Sequence, residues 1–131
     1  MRIPYQKHRS HYLPIVEVVV LGTHFNASIN AVIDTGAVRS VFPMSAARDA
    51  GLSLESGKPE AVVFGGSTAI GWLIQTYVLI QGRRFHLDIL YVDDEKLKLD
   101  YALLGRATFF NQFNEVAFHE RTLERNVHFR G

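Results

Sequence analysis

The chain has 131 residues, 47% of them hydrophobic and 21% charged, which fits one globular domain able to bury a real core. Its formal net charge of +1 gives no sign of a nucleic-acid-binding surface, and no apolar run is long enough to span a bilayer. Cysteine is absent, which excludes disulfides and thiolate metal or redox chemistry.

Residues 1–11 are polar and basic and read as a mobile or loosely docked arm. Arg2, Lys7 and Arg9 precede only a short β-branched run without a small-residue cleavage site, so no secretory leader is expected and a cytoplasmic location is the default. Valine and isoleucine between residues 13 and 21 predict a strand. Gly22-Thr23-His24 follows as a turn, and residues 25–33 as the second strand of a hairpin. Asp34-Thr35-Gly36-Ala37 interrupts this pattern before Val41-Phe42 returns briefly to strand. Pro43 opens a short helix over 45–50, closed by Gly51 where a left-handed residue is needed. Beyond the polar loop 53–60, Val62-Val63-Phe64 and residues 69–73 flank Gly65-Gly66-Ser67-Thr68, a composition suited to a hairpin tip. Strands are expected over 75–80, 85–92 and 116–119, and a second helix over 107–113. The spacing of turn signals makes the class mainly β and barrel-like, with seven or eight strands.

The chemistry centres on Asp34. An Asp-Thr-Gly tripeptide is by itself a turn signal, and a structural aspartate capping its own loop is the simplest reading. Its flanks are unusual for a turn, since Ala31-Val32-Ile33 precedes it and Val41-Phe42 follows. A carboxyl in an apolar setting is costly to ionise, and enzymes use that cost to tune an acid. Elsewhere the signals are weaker. His8 and His11 lack further nearby metal ligands, and Asp93-Asp94-Glu95 alternates with lysines as an exposed loop does.

A second segment, Leu103-Leu104-Gly105-Arg106, precedes the predicted helix at 107. Asp-Thr-Gly-Ala after an apolar strand, a Gly-Gly hairpin, and apolar-apolar-Gly-Arg, in that order, resemble the retropepsin family of aspartic proteases. The run from Asp34 to Gly51-Leu52 is similar to its cellular and retrotransposon branches. The resemblance spans about residues 12–119, leaving 1–11 as an arm and 120–131 as a tail. It implies a partly open or closed β-barrel with a flap hairpin and one or two short helices, paired as a two-fold homodimer. It also implies an endopeptidase in which Asp34 of each subunit shares one catalytic water, with a peptide or protein as substrate and no metal or other cofactor. Thr35, Gly36 and Ala37 would form the active-site loop and dimer contact, and Phe64, Gly65, Gly66 and Ile70 the substrate-binding flap. Leu103, Leu104, Gly105 and Arg106 would support the site. Neither nucleic acid nor membrane is an expected partner. In many retroviral members an acid after the first motif pairs with the arginine of the second; here Val38-Arg39-Ser40 stands there, leaving Asp100 as a substitute for Arg106. Two other readings of the same residues are a non-catalytic dimerisation or peptide-binding domain of this fold, and a monomeric ligand-binding barrel.

Overall fold

The computed structural model describes residues 1–64, 66–97 and 101–131, with Phe64 as backbone only. The first three strands are short: β1 (Arg2–Pro4), β2 (Gln6–His8) and β3 (His11–Leu13). Then come β4 (Ile15–Leu21), β5 (Asn26–Ile33) and β6 (Ser40–Pro43), followed by helix α1 (Met44–Asp49). A long ribbon is built from β7 (Lys58–Phe64), β8 (Ser67–Ile80) and β9 (Arg83–Val92). Helix α2 (Asp94–Leu97), β10 (Ala102–Leu104), β11 (Glu115–His119) and β12 (Asn126–Arg130) complete the chain.

The main sheet runs β4-β5-β10-β6-β9-β8-β7, and a further pairing of β4 with β8 closes six of these strands into a ring. Closure removes the free edges that open sheets leave exposed. Alternation drives the burial, as Val18 and Val20 on β4 and Val78 and Ile80 on β8 point inward and are fully buried, while Glu17 and Tyr77 point out. Tyr91 is also fully enclosed, its hydroxyl 3.0 Å from Thr76 Oγ1, and burial pushes its phenol up to about 12. A second, smaller core joins Val41, Leu90, Val92 and Leu97 to the inner face of the β7–β8 ribbon through Val62, Ala69 and Leu73.

Helix α1 ends as its glycine predicts. Gly51 adopts φ +74°, and the N–H groups of Gly51 and Leu52 reach the carbonyls of Arg48 and Ala47 at 2.9 Å each. The helix expected at 107–113 does not form. Thr108 sits at φ +65° with its hydroxyl accepting the Asp88 N–H at 2.9 Å, which leaves only a single 3-10 turn over Phe110–Gln112. Phe109, Phe113, Phe85 and Phe129 gather instead into an aromatic cluster with centroids 4.9–5.9 Å apart.

The chain ends also depart from the expected arm and tail. β1 pairs antiparallel with β12, and β12 with β11, forming a separate sheet in the order β1-β12-β11. Ile3, Val127 and Phe129 supply its buried face, so ladder hydrogen bonds and apolar burial together hold both ends down. Residues 6–13 form a small hairpin of β2 and β3. No helix among the described residues is long and apolar enough to cross a membrane.

Candidate active site

Asp34 stands at the end of β5, where the chain must leave the sheet to turn back into β6. Its backbone N–H still bonds the Leu104 carbonyl at 3.0 Å, so the residue is anchored to β10 while its side chain projects into the loop. The Gly36 N–H donates to Asp34 Oδ1 at 2.8 Å and the Ala37 N–H to the Asp34 carbonyl at 3.3 Å, closing a tight turn around the carboxylate. Asp34 is half-buried, whereas Thr35 and Gly36 are exposed at the tip. A Cβ on Gly36 would come within 3.2 Å of Oδ1, crowding the acceptor that its own N–H holds.

The two motifs meet as the sequence order implies. β10 lies between the strands that flank the Asp34 loop, parallel to β5 (Leu104 opposite Ile33) and antiparallel to β6 (Leu103 opposite Val41). Beyond it, the Arg106 N–H donates to the Ala37 carbonyl at 3.0 Å and the Ala107 N–H to the Val38 carbonyl at 2.8 Å. Gly105 passes so close that a Cβ would collide with the Arg39 carbonyl and lie 2.8 Å from that of Ala37. Its N–H is satisfied by the buried Ser40 Oγ at 3.0 Å. Leu104 and Gly105 are buried, Leu103 is half-buried, and Arg106 is exposed. Among the described residues none pairs with the Arg106 side chain, and Asp100 lies outside them.

The β7–β8 hairpin forms with a two-residue connection, Phe64 pairing with Ser67, and Gly66 takes φ +84° at its tip. Gly65 and the Phe64 side chain lie outside the described residues. Register divides the hairpin into two faces. Val62 and Ala69, opposite one another, pack on the cluster that contains Val41 beside Leu103. Ile70, opposite Ala61, belongs to the other face and is 62% exposed. No three His, Asp or Glu side chains converge as a metal site would require among the described residues.

No family model matches this sequence, and no curated protein does. Among solved structures it is similar to the crystal structure of a retropepsin-like aspartic protease from Rickettsia conorii, with a TM-score of 0.64 and 20% identity over 91% of this chain and 85% of that one. The chain has a retropepsin-like fold.

Two members of the site escaped the sequence reading of this retropepsin-like fold. Ser40 gives no signal of its own, since a serine after a basic residue reads as loop; only the approach of β10 turns it into a buried acceptor for Gly105. Arg39, noted as a departure from the family pattern, is occupied. Its Nη2 lies 2.8 Å from Glu60 Oε1 on β7, a contact between residues whose proximity the linear chain does not show.

Proposed function

We propose that this chain is an aspartic endopeptidase, active as a homodimer in which each subunit contributes one Asp34. The observation that carries the reading is the Asp34 carboxylate itself, held by the Gly36 N–H at 2.8 Å on a loop laced to residues 104–107 and opening to solvent at Thr35 and Gly36. Two of these loops face to face would place two carboxyls at contact distance, where both cannot be ionised cheaply and one proton is kept between them.

A water held between the two carboxyls is then activated from both sides. The ionised Asp34 takes a proton from the water as its oxygen bonds to the scissile carbonyl carbon, while the protonated Asp34 gives its proton to the carbonyl oxygen. The tetrahedral intermediate collapses as a proton passes to the peptide nitrogen and the C–N bond breaks. An extended substrate strand would lie between this loop and the hairpin, with the exposed Ile70 offering apolar contact and the glycine-bearing tip closing over it. Arg106, Gly105 and Ser40 act indirectly by holding the Asp34 loop in place.

Asp34→Asn tests the reading, since an amide neither shares the proton nor serves as base. The variant is expected to keep the wild-type circular dichroism and oligomeric state while cleavage of a mixed peptide library falls by at least about a thousandfold, on the order of 4 kcal/mol in barrier. Activity within tenfold of wild type would remove Asp34 from the chemistry, and an inactive wild type would favour a binding role for the same fold.

A further inference from the structure

The hairpin leaves the barrel at a defined point. β8 pairs with β9 as far as Gly71, opposite Val92, and beyond it residues 67–70 pair only with β7. Glu60 is the residue directly across from Gly71, so it marks the place where a ribbon backed by β9 becomes a two-stranded hairpin. At this hinge Glu60 Oε1 meets Arg39 Nη2 at 2.8 Å. Arg39 belongs to the loop that carries Asp34, and its backbone is immobilised: its carbonyl lies against Gly105, and the next residue, Ser40, is buried with its hydroxyl on the Gly105 N–H. A cation on a rigid mount therefore grips a carboxylate at the point where the hairpin leaves the sheet.

We propose that the Arg39–Glu60 pair is a tether that fixes the flap hinge to the Asp34 loop, making Arg39 a positioning residue for substrate capture; this rests on the endopeptidase reading only for its consequence in turnover. The two side chains are 37% and 34% exposed, so the pair adds little to global stability and is open to screening by salt. Its effect is local, confining hairpin motion to the residues beyond Glu60 and Gly71.

The experiment compares Arg39→Met, Glu60→Gln and the exchanged pair Arg39→Glu/Glu60→Arg. Amide hydrogen exchange by mass spectrometry, read on peptides spanning 58–73 and on the rest of the chain, needs no catalysis. Both single variants should exchange about threefold to tenfold faster within 61–70 alone, and the exchanged pair should return to within about twofold of wild type. On a cleaved peptide the singles should raise KM about threefold to fivefold with kcat nearly unchanged, as expected when binding is weakened equally in ground and transition states. Wild-type exchange in the singles, acceleration spread evenly over the whole chain, or no recovery in the exchanged pair would overturn the tether. If wild type cleaves nothing, the endopeptidase reading fails while exchange still decides the tether.

Discussion

Gly105 illustrates how one missing side chain organises the site. The carbonyls of Ala37 and Arg39 converge where its Cβ would be, and its N–H has a buried partner in Ser40. Gly105→Ala should force the Asp34 loop away from β10, lowering stability by about 1–3 kcal/mol in urea unfolding and cleavage by at least about tenfold. His128 makes a different residue-scale prediction. It sits on β12 beside Arg2 of β1, and its proton affinity is lowered by partial burial first and then by Arg2, Arg130, the N-terminus and His119. The unfolded chain, with its ordinary value of 6.5, binds the proton more readily, so stability is full above that pH and is lost as pH falls through the folded value. Thermal melts at pH 7.5, 6.5 and 5.5 should show a smaller acid loss for His128→Gln than for wild type.

At the scale of elements, the hairpin of β7 and β8 is where sequence and structure agree on existence. Glycines between β-rich arms identify the turn, and Gly66 at φ +84° meets that need. Nothing lies within 4 Å of a Cβ built there, so Gly66→Val acts through backbone strain alone. It should leave the melting temperature within a few degrees, because a change of about 1 kcal/mol in a tip outside the barrel moves it little. Peptide cleavage (kcat/KM) should nonetheless fall by tenfold or more, and unchanged cleavage would show that this hairpin is not the flap. The Ala107–Phe113 segment failed as a helix for a reason the pattern conceals. Its phenylalanines have helical spacing, yet they pack into one cluster through a turn pinned by Thr108 and Asp88, where tertiary burial outweighs local periodicity.

At the scale of the molecule, one chain offers one Asp34 loop, and its most exposed residues, Thr35, Gly36 and Val38, are those a second copy would cover. Specific activity should therefore fall on dilution below the dimer dissociation constant and recover on reconcentration. Concentration-independent activity in a chain that sediments as a monomer would contradict a shared site. The terminal sheet bears on the same question. β1 and β12 satisfy each other within one chain, and Tyr5 Oη donates to Glu120 Oε1 at 2.7 Å.

By itself the sequence determined the mainly β class, the Asp34 turn and the hairpin tip, because each rests on local rules, namely alternation, turn chemistry and glycine where backbone must bend; the Leu103–Arg106 segment stood out only through its resemblance to a family pattern. Tertiary structure alone decided which side of the hairpin packs on the second core, that Ser40 accepts from Gly105, that Arg39 reaches Glu60, and that the two chain ends pair. These depend on strand register and on contacts between residues far apart in the chain. A single-residue shift in register would exchange Ile70 for Ala69 on the face that packs on the second core of Val41, Leu90, Val92 and Leu97, and no local pattern in 58–73 distinguishes the two registers.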